Sequence, residues 1–183
     1  MTIEELTIRL KQEAESFNQN EPFASPMLQE QILLKDSFKE MLTVTLACGL
    51  AGEIINREKL ETLIHSCFEK FPEILEYAKK DLVATVLRDP ACLGYLEPLL
   101  FFKGFQGLQA YRIAHALWEN NERFTAKMFQ SIISRKFGMD IHPAAKIGHG
   151  LLIDHATNIV IGETAVIGNN VSILHGVTLG GTG

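Results

Sequence analysis

A six-residue repeat of aliphatic residues near the C-terminus limits the possible folds of this chain more than any other feature. Two series of aliphatic residues, separated by a two-residue slip, each recur at intervals of six: Ile141, Ile147, Ile153 and Ile159, then Ile161, Ile167, Ile173 and Leu179. A period of six fits neither an α-helix, with its period of 3.6, nor a two-faced strand. It is typical of a parallel β-helix, in which the aliphatic side chain of each hexad points inward and stacks on the next coil.

The repeat stops inside a hexad, at "LGGTG", after little more than two coils of three hexads each. A solenoid buries its coils only against neighbouring coils, so its last coil needs a cap. Without one, the open sheet edge would expose unpaired backbone groups. Either another polypeptide covers that edge or the chain is part of a longer one, and we favour the longer chain.

Residues 1–138 follow a helical period instead. In "NREKLETLIHSCFEKF" the apolar residues fall on one helix face, with Asn56 as the expected N-cap and Pro72 after the last turn. The segment "RFTAKMFQSIISRKFG" predicts a helix that stops at Gly138. We therefore expect two domains: a helical domain of six to eight helices over residues 1–138, and an incomplete β-helix over residues 139–183.

Composition excludes several classes of protein. The net charge of −5 gives no general electrostatic reason to bind nucleic acid or an anionic membrane, and no apolar run is long enough to span a bilayer. The three cysteines are odd in number and lack CxxC spacing, which argues against disulfides and a cysteine metal site. A reducing compartment, the cytoplasm, is the expected location.

Polar residues interrupt the repeat at one place, where Asp154 and His155 share a hexad. Asp140 lies fifteen residues earlier, roughly one coil back. A neutral imidazole can take a proton from a hydroxyl if a carboxylate holds its other nitrogen. A second carboxylate suits an ammonium group. Together these residues would activate an amino alcohol for attack on an acyl donor, although on motif logic alone such a pair is structural more often than catalytic.

The segment "DIHPAAKIGHGLLIDHATNIVIGETAVIGNNVSILHGVTLGGTG" closely resembles the bacterial serine O-acetyltransferases, and "LRDPACLGYLEPLLFFKGFQGLQAYRIAHALW" resembles their helical part. The likeness is continuous from about residue 81 to 183. It implies an α + β fold, an all-helical domain followed by a left-handed parallel β-helix of hexapeptide repeats. It also implies transfer of an acetyl group from acetyl-CoA to the hydroxyl of L-serine, in cysteine biosynthesis, without a bound cofactor or metal.

By motif match, the resemblance assigns His155 as the general base and Asp140 as the residue that orients it. Asp154, and Asp89 in "RDPA", would bind the ammonium group of serine. Gly181 would let a coil corner approach the thioester of acetyl-CoA.

The resemblance also implies an assembly and partners. The family forms a dimer of trimers with active sites between solenoids, and cysteine inhibits it at the serine site. Its members continue past "GGTG" into an Arg-His pair that contacts serine, further coils and a tail that docks into O-acetylserine sulfhydrylase. All of these are absent from this sequence. One substitution, Asn158 where many members carry Gly, suits a left-handed corner.

Other interpretations remain open. Asp140 could cap the first coil, and Asp89, before Pro90, could end a helix and start a turn. A zinc site of His149, His155 and His175 and an acyl-enzyme at Cys92 are the weaker alternatives. Two alternative functions also stay open: a hexapeptide acyltransferase with a different acceptor, and a non-catalytic fragment for oligomerisation or regulation.

Overall fold

A computed structural model describes residues 1–52 and 55–180. In this part of the chain the helices are α1 (Ile3–Asn20), α2 (Ser25–Leu28), a π-helical turn (Gln29–Leu33), α3 (Phe38–Leu50), α4 (Arg57–Lys70), α5 (Glu73–Arg88), α6 (Leu96–Phe101), α7 (Lys103–Glu119) and α8 (Arg123–Phe137). None of these helices has both the length and the apolar content required to cross a bilayer.

Two helix ends follow the predicted residue chemistry. Asn56 caps α4, and its side chain accepts a hydrogen bond from the backbone N–H of Lys59 at 3.0 Å. Helix α8 ends at Phe137 because Gly138 adopts a left-handed conformation, with φ of 70°. Both predictions are confirmed.

Short parallel strands follow at once: β1 (Met139–Ile141), β2 (Lys146–Ile147), β3 (Leu152–Ile153), β4 (Ile159–Ile161), β5 (Val166–Ile167), β6 (Ser172–Ile173) and β7 (Thr178–Leu179). They form three parallel sheets, β1-β4-β7, β2-β5 and β3-β6. Each strand pairs with its counterpart one coil later, as in a β-helix. Of the eight aliphatic residues of the repeat, six are buried, and Ile147 and Leu179 are partly buried. The helical part and the parallel coils confirm the predicted fold class.

The helices cover the open edge of the first coil. Tyr111 on α7 donates a hydrogen bond from its hydroxyl to the carbonyl oxygen of Ala145. One turn later, Nδ1 of His115 lies 2.7 Å from the carbonyl oxygen of Pro143, so this ring nitrogen carries the proton. Side chains of α7 thus bind backbone groups that a preceding coil would otherwise bind.

A buried ion pair completes this junction. Arg112 lies 2.6 Å from the carboxylate of Asp81 on α5 and donates to the carbonyl oxygen of Gly148 at 2.8 Å. Asp81 in turn accepts a hydrogen bond from the backbone N–H of Leu151 at 2.9 Å. Because every charged group is paired and hydrogen-bonded, the pair fixes the helices to the coil despite its burial.

The buried residues form one continuous cluster that runs from α1 through the helices into the coils. The change from helices to strands occurs at Gly138, where the sequence places it. The division into two domains stays a prediction, because one hydrophobic core shared by the helices and the coils does not separate them into two units.

Candidate active site

The two-residue slip of the repeat corresponds to a longer turn in the first coil. Leu152 pairs with Ser172, twenty residues later, whereas Val160 pairs with Thr178, eighteen residues later. The two extra residues therefore lie between β3 and β4. We call residues 154–158, which include Asp154 and His155, the Asp-His turn.

The backbone of the Asp-His turn is strained. His155, Ala156 and Asn158 have φ values of 56°, 59° and 60°, a left-handed region that residues other than glycine rarely adopt. The prediction for Asn158 is confirmed. Such conformations cost free energy and persist only where the surroundings impose them.

Several contacts impose this conformation. Within the turn, the backbone N–H of Ala156 donates to the carbonyl oxygen of Asp154 at 2.6 Å. From the next coil, the N–H of Gly176 donates to the carbonyl oxygen of Thr157 at 2.8 Å. Ala156 itself is fully buried. The turn is thus anchored at its centre while its polar side chains face outward.

The imidazole of His155 is 73% exposed, and its Nε2 lies 3.7 Å from a carboxylate oxygen of Asp154, which is 34% exposed. The ring centroid of His155 lies 5.9 Å from that of His175, one coil later. The structure therefore brings Asp154 and His155 together at a surface open to a ligand. An imidazole so placed can accept a proton, and the carboxylate beside it can bind a cation.

Asp140 occupies the middle of β1, and its Oδ1 accepts a hydrogen bond of 2.6 Å from Nε2 of Gln130 on α8. Within residues 1–52 and 55–180, no hydrogen bond or ion pair joins Asp140 to His155. The role of Asp140 in orienting the base stays a prediction. Gln130 was not identified by sequence reasoning, because nothing in its helical position distinguishes it from a surface glutamine.

Asp89 follows the last residue of α5, and its side chain accepts a hydrogen bond of 2.9 Å from the backbone N–H of Ala91. It therefore forms the turn that the Asp-Pro pair favours. The neighbouring Arg88 lies 3.4 Å from the hydroxyl of Ser172 on β6, and the carbonyl oxygen of Ile173 on that strand binds the backbone N–H of Asp154. Arg88 and Asp154 thus both contact β6, and the role of Asp89 and Asp154 in binding a substrate stays a prediction. Gly181 lies outside the described residues.

The start of α7 packs directly against the Asp-His turn. Lys103 donates a hydrogen bond from its ammonium group to the hydroxyl of Thr157. An ideal Cβ atom placed on Gly104 would lie only 2.0 Å from the carbonyl oxygen of Ile153, the residue before the turn. Only glycine allows this approach. No local sequence pattern signals these contacts, since Lys103 and Thr157 are 54 positions apart and Gly104 and Ile153 are 49 positions apart.

The structure gives little support to the two weaker alternatives, an acyl-enzyme at Cys92 and a zinc site of three histidines. Cys92 donates a hydrogen bond from its sulfur to the carbonyl oxygen of Gly94, and burial raises the pKa of its thiol, which disfavours the nucleophilic thiolate. His149 packs against Tyr77 on α5, with ring centroids 5.1 Å apart. In the described part of the chain, no three His, Cys, Asp or Glu side chains are arranged to hold a metal ion.

Comparison with known proteins relates the whole chain to one family. Residues 7–110 match the family described as "Serine acetyltransferase, N-terminal". The chain is 47% identical over 180 residues to serine acetyltransferase 1, chloroplastic, of Arabidopsis thaliana, covering 98% of this chain and 57% of that protein. It is 45% identical over 174 residues to the serine acetyltransferase of Haemophilus influenzae, covering 95% of this chain and 65% of that protein. The chain thus spans less than two thirds of the length of either relative.

Solved structures agree with this relationship. A serine acetyltransferase in complex with CoA superposes with a TM-score of 0.96 at 43% identity, covering 98% of this chain and 76% of that one. Soybean serine acetyltransferase complexed with serine gives a TM-score of 0.96 at 44% identity, covering 99% and 74%. A complex with cysteine gives 0.95 at 44% identity, covering 98% and 70%.

Proposed function

Because the chain belongs to the serine acetyltransferase family, we propose that it transfers an acetyl group from acetyl-CoA to the hydroxyl of L-serine. The products are O-acetylserine and CoA, and the reaction serves cysteine biosynthesis. The observation that carries this proposal is the Asp-His turn, where an exposed imidazole stands beside a carboxylate on a strained and anchored backbone. Acetyl-CoA acts as a co-substrate.

In the proposed mechanism, His155 takes the proton of the serine hydroxyl while the serine oxygen attacks the thioester carbon. The tetrahedral intermediate then collapses, the carbon–sulfur bond breaks, and the leaving thiolate takes the proton from the imidazolium. The histidine returns to its neutral form. This use of one imidazole as base and then acid needs a site where its tautomer is fixed.

Three carboxylates have proposed roles around this base. Asp154, 3.7 Å from the imidazole, and Asp89, directly after α5, bind the ammonium group of serine. Asp140 orients His155. Gly181 contributes to the acetyl-CoA site. A pair of carboxylates suits an ammonium group, which supports a small amino acid as the acceptor.

The proposed assembly is a homo-oligomer, a dimer of trimers. Val160, Val166 and Leu174 on the second coil are 42%, 76% and 58% exposed, which supports packing of this coil against another copy. We also propose feedback inhibition by cysteine at the serine site, supported by the family structure solved with cysteine. Docking of O-acetylserine sulfhydrylase onto a C-terminal tail belongs to the longer proteins of the family.

Two further expectations remain proposals. The helical domain of residues 1–138 would carry the contacts that join the trimers and part of the substrate site, and residues 139–183 would form the solenoid. The cytoplasm is proposed as the location from the cysteine pattern, since Cys48, Cys67 and Cys92 are all free. One relative is a chloroplastic protein, so the family as a whole does not fix the compartment.

The test is serine-dependent release of CoA thiol from acetyl-CoA by the chain and by His155→Ala. His65→Ala, which removes a half-exposed histidine on α4, serves as the matched control. We expect release with the chain and with the control, and a loss of about a hundredfold or more in His155→Ala. Equal rates in all three would contradict His155 as the base.

Acceptor analogues separate this function from the alternatives. Ethanolamine lacks the carboxylate of serine, and 3-hydroxypropionate lacks its ammonium group. If Asp89 and Asp154 bind the ammonium, only 3-hydroxypropionate should lose nearly all activity relative to serine. Turnover of an unrelated alcohol in preference to serine would indicate a different acceptor. Binding of serine without any turnover would indicate a non-catalytic fragment.

A further inference from the structure

Two glutamines on neighbouring helices share an unusual arrangement. Nε2 of Gln109 donates to the carboxylate of Asp81 at 3.1 Å, and Nε2 of Gln130 donates to the carboxylate of Asp140 at 2.6 Å. In both, the amide oxygen Oε1 is buried without a hydrogen-bond partner in the described part of the chain. A buried acceptor without a partner is unfavourable, so each case requires a compensating contact.

For Gln109 the compensation is structural. Asp81 is fully buried and already pairs with Arg112, so each further donor helps to balance a charge inside the protein. Asp140 is different, because it is only partly buried and water can reach its surroundings. Stability alone therefore does not explain why Gln130 keeps an unpaired buried oxygen in order to bind Asp140.

The position of Asp140 supplies a reason. Its neighbours Met139 and Ile141 point into the core, at 0% and 1% exposure, so the side chain of Asp140 points outward from the sheet. Asp140 is in register with Val160, the second residue after the Asp-His turn. The chain leaving the turn also binds the residue just before β1, since the backbone N–H of Ile159 donates to the carbonyl oxygen of Gly138. Asp140 therefore lies beside the point where the turn rejoins the sheet.

We propose that Gln130 is a positioning residue, which holds one oxygen of Asp140 so that the other faces the imidazole of His155. This inference rests on the proposed function. The amide fixes Oδ1, and no hydrogen bond within residues 1–52 and 55–180 occupies Oδ2. A carboxylate held at one oxygen cannot rotate freely, so the free oxygen keeps a single direction. Its contact with the second nitrogen of the imidazole fixes the tautomer that the base requires.

The test compares Gln130→Met with Gln109→Met. Methionine keeps the length and volume of the side chain and removes both the amide donor and the unpaired oxygen. For Gln130→Met we expect kcat for serine-dependent CoA release to fall about tenfold. The KM values for serine and acetyl-CoA should stay within about twofold, since the residue does not touch substrate. Its thermal midpoint should equal or exceed that of the parent chain, because a buried unpaired acceptor is gone. Gln109→Met carries the same chemical change away from the site and should keep its kcat.

A measurement that needs no turnover accompanies the kinetics. The ¹⁵N shifts of the His155 ring, identified by their loss in His155→Ala, report its tautomer. We expect one neutral tautomer in the parent chain and in Gln109→Met, and a mixture in Gln130→Met. An unchanged tautomer with unchanged kcat in Gln130→Met would overturn the inference, as would a loss of kcat that only follows a loss of stability. If the parent chain releases no CoA with serine, the proposed function fails for this chain, and the tautomer comparison alone decides the role of Gln130.

Discussion

The close approach of α7 to the first coil predicts the consequence of adding one methyl group at Gly104. An ideal Cβ atom at this position would lie 2.0 Å from the carbonyl oxygen of Ile153 and 3.0 Å from its carbonyl carbon. Carbon and oxygen atoms in proteins approach to about 3.3 Å. Because the obstacle is backbone, no rotamer change relieves the overlap. In Gly104→Ala the start of α7 must therefore move away from β3 by about 1.3 Å.

This displacement has two consequences of different size. Overpacking costs about 1–3 kcal/mol, partly offset by roughly 1 kcal/mol of helix propensity gained by alanine. The net loss of up to about 2 kcal/mol corresponds to a fall of up to roughly 8 °C in the thermal midpoint for a chain of this size. The effect on activity should be larger. Ile153 directly precedes the Asp-His turn, and a misplacement of about 1 Å at a reacting group can cost about a hundredfold in rate.

The assay is serine-dependent CoA release together with a thermal melt, for Gly104→Ala and for Gly168→Ala. The control is matched, because an ideal Cβ atom at Gly168 meets nothing within 4 Å. Gly168→Ala should stay within about 0.5 kcal/mol of the parent chain and keep its activity. If Gly104→Ala keeps both the midpoint and the rate of the parent, the close approach does not set the position of the turn, and the reasoning is wrong.

Three other perturbations test the packing and the pH dependence. Arg112→Met leaves the carboxylate of Asp81 buried without its cation, so chemical denaturation should show a loss of about 3–5 kcal/mol in the free energy of unfolding. The loss should be smaller in the double variant that also carries Asp81→Leu. Equal losses in the single and the double variant would contradict the pairing. Burial raises the pKa of Cys67 from 9.0 to about 11, so the folded state holds a proton that the unfolded chain releases first. The free energy of unfolding should therefore fall by about 2 kcal/mol as pH rises from about 9 to about 11. The midpoint of urea denaturation, measured across this pH range, should fall with pH in the parent chain, and this fall should be absent in Cys67→Ala. Lys103→Met removes the ammonium donor to the Asp-His turn and should lower kcat about fivefold. Lys136→Met removes a donor to a distant backbone carbonyl and should leave kcat unchanged, so equal kcat values for these two variants would refute the role of Lys103.

The architecture could be predicted from the sequence because the patterns that indicate it are local and periodic. The six-residue spacing of Ile141 through Leu179 predicted the coils. The two-residue slip, which the spacing places between Ile159 and Ile161, corresponds to the longer turn at residues 154–158, just before these residues. The caps of α4 and α8 follow from the side chain of Asn56 and the backbone freedom of Gly138. In each case the residue and its partner lie within a few positions of each other.

The candidate site could be predicted only in part from the sequence. Asp154 and His155 are adjacent in the sequence, and the structure keeps them adjacent in space. The roles of Asp140 and Asp89 were predicted from the resemblance to a family. In the structure, Asp140 accepts a hydrogen bond from Gln130, and Asp89 accepts one from the backbone N–H of Ala91. Neither contact tests the predicted roles, which are the orientation of His155 by Asp140 and the binding of serine by Asp89.

The sequence by itself determined the fold class, two of the helix ends and the turn that carries His155, since short-range periodicity and turn chemistry encode them. Only the tertiary structure decided what holds that turn in place. The contact of Gly104 with the backbone of Ile153 and the amide of Gln130 on Asp140 join segments that no local pattern relates. Their cause is the docking of α7 and α8 on the first coil, where burial favours pairing of polar groups with partners from another element.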